Sequence, residues 1–323
     1  MDHADDNYDG DIYIYRGGRV PRHVTHALID ESADEIEEEA FQFCNVVQVD
    51  THDGLRKVGR YAFGGCKSLR RINLKSAVDI ISGAFSCCKN LESVEFGDRL
   101  ETIGRTALGD CQSLSSLKLS CITTGPTTFT RCTGLTDVEF SERLETIGER
   151  AFWQCPRLQR IAIPLKRDLF QFSDYWQNYN QFEDCEQLVK VDLVGNAHTR
   201  TVASLHMDSW RTEMTVEINR INQVLPNTPA DGKTSEIQQW MESTIVKMDH
   251  YKAEHWRYVK EGITLLELAL WKSKLGEKED NCEAEGSAEK VKLDEESARK
   301  ERRITCGADM VIKNVLPFLK LDE

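Results

Sequence analysis

The chain has 323 residues, 40% hydrophobic and 29% charged, with 54 acidic against 41 basic side chains and a formal net charge of −13. That balance fits one large or two modest globular domains and excludes collagen-like, low-complexity and wholly disordered classes. It argues against general nucleic-acid or anionic-membrane binding, which need a cationic surface. No run approaches the roughly 20 apolar residues of a membrane span; the longest, 263–271, is broken by Glu267. In chain order, residues 1–11 read as a disordered acidic tail, acidic where a secretory leader would be basic and then apolar. Eleven Cys without such a leader point to reduced thiols and an intracellular, cytoplasmic setting.

A repeat then takes over. Cys44, Cys66, Cys88, Cys111, Cys132, Cys155 and Cys185 recur at steps of 22, 22, 23, 21, 23 and 30 residues. Three residues before them stand Phe41, Phe63, Phe85, Leu108, Phe129, Phe152 and Phe182; three after stand Val47, Leu69, Leu91, Leu114, Leu135, Leu158 and Leu188. From the second copy on, alternating pairs follow: Ile72/Leu74, Val94/Phe96, Leu117/Leu119, Val138/Phe140, Ile161/Ile163 and Val191/Leu193. The first copy fits only with a one-residue slip. A unit of this length cannot bury its own apolar side, so successive units must stack. The alternation predicts one short parallel strand per unit, and Ala62, Phe63 and Cys66 suit an opposing helical or turn segment with Phe and Cys on one face. Gly59, Gly104 and Gly148 mark predicted corners.

This pattern, Ile/Val-Gly-x-x-Ala-Phe-x-x-Cys-x-x-Leu-x-x-Ile-x-Leu, resembles the BspA-type leucine-rich repeat, in seven copies. The predicted fold class is therefore an α/β repeat solenoid, leucine-rich-repeat-like, with parallel strands on one face, plus an all-α C-terminal region. By the same resemblance residues 12–35 form an N-terminal cap or half-repeat, and 36–195 are the repeats. The resemblance implies macromolecular binding and no catalytic residues. Three departures stand out: Leu108 replaces Phe, Gly125-Pro126 alters one corner, and the last unit carries about eight extra residues containing Phe170, Phe172, Tyr175, Trp176 and Tyr179. That insertion is a recognition loop or a cap on the array's open end, with capping favoured.

The Cys column admits a disulfide, a metal or a packing reading. Stacked side chains point the same way rather than at each other, and no CxxC or His pair has zinc spacing. A small buried hydrophobe is the favoured reading. Outward-facing strand positions give two polar columns: Arg71, Ser93, Ser116, Asp137, Arg160 and Lys190, and beside it Asn73, Glu95, Lys118, Glu139, Ala162 and Asp192. By resemblance this is the binding face, although an ordinary solvated surface explains the columns as well.

After residue 195 the period changes to 3.6. Leu205, Met207, Trp210, Met214, Ile218, Ile221 and Leu225 predict an amphipathic helix over 204–225, ended by Pro226. A second helix is predicted over 235–275, from an N-cap at Ser235 to a stop at Gly276, so that 196–276 is a helical region. Residues 277–298 read as an acidic flexible linker, and 299–323 as a C-terminal helical segment interrupted at Pro317. The long helices either pack within the chain, which is favoured, or self-associate; Lys252–Glu254 interrupt their apolar spacing. His250 and His255 are five residues apart and point away from each other, and the basic run at 300–303 reads as half a nuclear-import signal or, the favoured reading, as a solvated helix turn beside acids.

No nucleotide, metalloprotease or nucleophile-elbow motif occurs, so no cofactor, metal or catalytic residue is expected. The expected function is a non-enzymatic protein-interaction module. Its partner sites are Arg71, Asn73, Ser93, Glu95, Ser116, Lys118, Asp137, Glu139, Arg160, Lys190 and Asp192 on the strand face, with Tyr175 and Trp176 in the insertion. The rival reading is a scaffold that homo-oligomerises through its C-terminal helices.

Overall fold

Each 22-residue unit makes one three-sided turn of a parallel solenoid. The computed structural model describes residues 7–171, 180–195 and 207–280. The repeats together with helical residues 213–246 form one compact unit; 207–212 and 247–280 belong to another.

The first side carries the longer strands, Ile12–Tyr15, His26–Ile29, Gln48–Asp50, Arg71–Leu74, Ser93–Phe96, Ser116–Leu119, Asp137–Phe140, Arg160–Pro164 and Lys190–Val194. Alternation buries one set of side chains and exposes the other, as in Arg71–Leu74, where Ile72 and Leu74 are inside. The ladders are parallel from Ile12 onward but interrupted twice, giving three sheets on this side. The second side was not anticipated. Six two-residue strands, from Glu35–Ile36 to Thr146–Ile147, form one in-register parallel sheet, so a unit has two strands rather than one. The third side is a turn, not a helix.

In that turn the backbone forms a further ladder. Phe63 N–H donates to the Ala84 carbonyl (2.7 Å) and Gly65 N–H to that of Ser86 (2.7 Å), one turn ahead, and the pattern repeats along the array. To aim alternate N–H groups this way, Tyr61, Cys87, Arg131 and Gln154 adopt positive φ of 50–62°, a left-handed conformation costly for non-glycine residues.

Inside, the Phe column stacks: Phe41 on Phe63 at 4.9 Å and Phe63 on Phe85 at 5.1 Å between ring centroids, resuming with Phe129, Phe152 and Phe182 beyond Leu108. Each fully buried ring contributes about 2–3 kcal/mol by burial, and stacking adds roughly 1 kcal/mol. The seven column cysteines are buried free thiols, and they do more than fill space. Each Sγ donates to a carbonyl of the preceding turn, as from Cys66 to Phe41 at 2.8 Å, Cys88 to Phe63 at 3.0 Å and Cys132 to Leu108 at 3.1 Å. A thiol is a weak donor, but it is small enough for the corner. In the first copy the slip is real: Val46 is buried and Val47 exposed.

The corner glycines are needed for close approach. A Cβ on Gly104 would lie 2.6 Å from the Ser82 nitrogen, and one on Gly148 2.3 Å from the Gly125 carbonyl carbon, with neither at positive φ. Thr128 stands where five of the other turns have Ala and the last has Gln181, and its hydroxyl donates to the Gly125 carbonyl at 2.6 Å.

At the N-terminus Tyr8–Asp9 already pair antiparallel with Ile12–Tyr15, so part of the segment expected to be a disordered tail is in a strand. Helix α1 (Met207–Val224) stops at the 3-10 turn holding Pro226. Helix α2 (Lys233–Asp280) begins two residues before the expected N-cap Ser235, because the 3-10 turn Ala230–Gly232 runs straight into it, and it passes through Gly276. Ile221, Leu225, Ile237, Trp240 and Met241 join the same apolar core as the repeats. Helical residues 213–246 thus pack within the chain on the array. The segment 299–323, and the linker beyond 280, lie outside the described residues.

Candidate functional site

The parallel registers align the outward side chains. Arg71 lies opposite Ser93, Asn73 opposite Glu95, Ser116 opposite Asp137, Lys118 opposite Glu139, Asp137 opposite Arg160, and Arg160 opposite Lys190. Asp192 lies opposite Ala162, which is buried although its position faces outward. The column residues therefore share one side of the solenoid. Tyr175 and Trp176 lie outside the described residues; Phe170, also in the insertion, is buried and extends the short-strand sheet through a bridge to Ile147.

This face has three zones. At its C-terminal end Arg160 is a hub: its Nη1 lies 3.1 Å from both Asp137 carboxylate oxygens and 3.6 Å from Glu139, and its Nε donates to Asp192 at 2.6 Å. Hydrogen bonding to Asp192 leads the causes that raise the pKa of Arg160, so its charge is fixed. Lys190 adds a contact to Asp192 at 3.4 Å. In the N-terminal part Arg70 reaches Glu92 at 3.3 Å and Lys75 reaches Glu95 at 2.9 Å. Between these zones Ser93, Ser116 and Lys118 have no side-chain partner among the described residues, and Ser116 and Lys118 are exposed.

The face also extends further toward the N-terminus than the columns read from the sequence. His26 lies 2.6 Å from Asp50, and Gln48 donates to Asp50 at 2.9 Å. Burial pushes the Asp50 carboxyl up, but the hydrogen bonds from Gln48 and His26 outweigh it and hold it below the usual range. The slipped first copy hid this cluster, although the alternation Gln48-x-Asp50 was there to read.

At the other end the solenoid is closed by polar groups. The Asn222 side chain accepts from Val191 N–H (2.8 Å) and donates to the Val191 carbonyl (3.2 Å), as a further strand would. Lys233, 1% exposed, donates through Nζ to the Glu186 and Leu188 carbonyls at 2.7 and 2.6 Å. Thr234 Oγ1 accepts from Phe182 N–H at 3.2 Å. The backbone that a further turn would have paired is satisfied here.

The column thiols are not activated. Burial pushes the thiols of Cys88, Cys132 and Cys185 up to about 12 and that of Cys66 higher still, opposite to what a nucleophile needs. Among the described residues no group of three His, Cys, Asp or Glu is placed to hold a metal ion, and no helix is long and apolar enough to cross a membrane.

The sequence matches the family described as BspA type leucine rich repeat region, in six copies, over residues 23–125 and 76–188, together just over half the chain. The chain belongs to the BspA-type leucine-rich repeat family. The family match has one copy fewer than the seven Cys-bearing turns. Similar solved structures are also found, among them bacterial leucine-rich repeat proteins. The leucine-rich repeat protein of T. pallidum is 24% identical, with 64% of this chain and 86% of that one covered and a TM-score of 0.38. One from Bacteroides ovatus is 23% identical, with 53% and 56% covered and a TM-score of 0.37. The pneumococcal vaccine antigen PcpA is 16% identical, with 58% and 66% covered and a TM-score of 0.31. A search of curated proteins returns no match. BspA-type and other leucine-rich repeats are commonly found in interaction or surface proteins and are typically non-enzymatic.

Proposed function

We propose that this chain is a non-catalytic protein-interaction module whose partner docks on the longer-strand side of the solenoid, centred on Ser93, Ser116 and Lys118. The observation that carries this reading is the unpaired centre between two zones of ion pairs. Binding at Ser116 and Lys118 disrupts no side-chain hydrogen bond or ion pair among the described residues, whereas a partner at Arg160 would have to compete with Asp137, Glu139 and Asp192. The rigid flanks hold the centre in place, which reduces the ordering cost of association. Lys118 calls for an acidic group on the partner, with polar contacts at Ser93 and Ser116. Tyr175 and Trp176 remain the proposed second contact.

The test compares capture of proteins from native lysate by the wild-type chain, by Ser116→Glu/Lys118→Glu, and by a control, Glu101→Lys, beside the short-strand sheet. Proteins held by wild type and control but lost by the double variant support the reading. Partners retained by the double variant place the binding surface elsewhere and end it.

A further inference from the structure

The second half of α2 carries an apolar row left uncovered by the described residues. Trp256, Val259, Ile263, Leu266 and Leu270 follow at steps of three, four, three and four residues, the spacing of a coiled-coil seam. Val259 and Ile263 are half-buried, but Trp256 is 48% and Leu266 54% exposed, with Leu265 and Trp271 beside them also open to water. Contiguous exposed apolar surface of this kind marks an interaction site.

The flanks of the row say what covers it. On one side, directly after Val259 and Leu266, stand Lys260 and Glu267; neither has an ion-pair partner among the described residues. On the other side, directly before Ile263 and Leu270, stand Gly262 and Ala269. A Cβ on Gly262 would meet nothing within 4 Å, so this edge is low. Two such helices laid antiparallel about a two-fold axis between residues 264 and 265 pair Ile263 with Leu266 of the second copy and Val259 with its Leu270. The same register sets Lys260 against Glu267 of the second copy and, by symmetry, Glu267 against its Lys260. The opposite edge brings Gly262 against Ala269, where small residues permit close approach. A parallel pair instead sets Lys260 beside His255 and Glu267 beside Gly262, with no complementary charge. Opposite charges in an antiparallel register, and none in a parallel one, decide the orientation.

We infer that the chain self-associates as an antiparallel two-fold dimer through residues 256–270 of α2, with two reciprocal Lys260–Glu267 pairs bracketing an Ile263/Leu266 centre. The seam is about 22 Å long and smaller than a standard interface of about 1,600 Å², so the dimer forms reversibly over the micromolar range. This inference does not rest on the strand-face reading.

Sedimentation equilibrium on the full chain, from low micromolar to near-millimolar concentration, tests it. Wild type should move from monomer to dimer. Leu266→Glu should abolish the dimer while circular dichroism shows the helix content kept, since Leu266 is exposed. Glu267→Lys and Lys260→Glu should each weaken dimerisation about ten-fold or more, and the double exchange Lys260→Glu/Glu267→Lys should restore it to within about three-fold of wild type. A chain that stays monomeric throughout overturns the inference, including the case in which residues 299–323 of the same chain cover the row. A dimer indifferent to Leu266→Glu, or one the double exchange does not restore, overturns the interface and its register.

Discussion

Lys233→Met tests whether the end of the solenoid is held by backbone satisfaction or by apolar contact alone. Met keeps the unbranched stem and removes the donor. The Glu186 and Leu188 carbonyls, now bonded to Nζ at 2.7 and 2.6 Å, lose that donor, the first in a part-buried site and the second in a buried one. An unsatisfied buried polar group costs about 1–3 kcal/mol, so the pair sets a loss of about 2–6 kcal/mol. Against this, Met spares the folded state a desolvated cation, which is worth up to several kcal/mol. The net expectation is a destabilisation of about 1–3 kcal/mol. It should be concentrated where the contact is, so deuterium exchange should rise in 233–246 and in Lys190–Val194 before it rises in the earlier turns. The pH dependence has a definite sign. Burial lowers the Lys233 pKa below its ordinary value of 10.5, so the unfolded chain binds this proton more tightly than the folded one. Stability contributed at this site therefore rises with pH between the lowered folded value and the unfolded one. The neutral amine still has two N–H groups for its two carbonyls. A Lys233→Met variant as stable as wild type, with unchanged exchange at the last strand, would refute the argument that backbone satisfaction fastens this end.

Two further outcomes follow from the interior. At pH 8 a thiol with a pKa of about 12 is thiolate to about one part in ten thousand, so Cys88, Cys132 and Cys185 should resist maleimide in the native protein and react promptly in denaturant. Peptide mapping reads this site by site, and native-state labelling of Cys88 as fast as in denaturant would sink the burial argument. The same substitution should act with opposite sign at two glycines. Gly104→Ala drives a Cβ to 2.6 Å from backbone and should cost about 3 kcal/mol in urea unfolding, whereas Gly262→Ala meets open space in a helix and should raise helicity by a local gain of about 1 kcal/mol. Equal effects at the two sites would mean that the turns do not pack as closely as described.

The stacking of units was legible because a 22-residue period repeats apolar types, and the Phe and Cys columns are buried accordingly. The short strands were not, since a two-residue strand such as Thr102–Ile103 carries no alternation to detect. Nor were the left-handed turn positions: Tyr61 and Arg131 are the wrong residue types for them, and they adopt that conformation because the ladder to the next turn requires it. On the strand face the columns were readable from the pleat, but whether Arg160 is paired and Lys118 is not depends on neighbours one turn away, which a single unit does not specify.

The closing of the array was the least legible feature, and the reason is physical. A stacked solenoid ends with apolar surface and with backbone N–H and C=O groups that the next turn would have bonded. The apolar part announces itself as a stripe: Ile221, Ile237, Trp240 and Met241 follow helical spacing and are buried in the shared core. The polar part falls to Asn222, Lys233 and Thr234, which in a helical pattern look like solvent-facing residues. Asn222 reproduces the donor and acceptor of a strand residue at Val191, and Lys233 spans two carbonyls two residues apart. A helix can bury an apolar stripe against many surfaces, but these three side chains fit only an unpaired last turn. They, rather than the stripe, fix where 213–246 sits on the array.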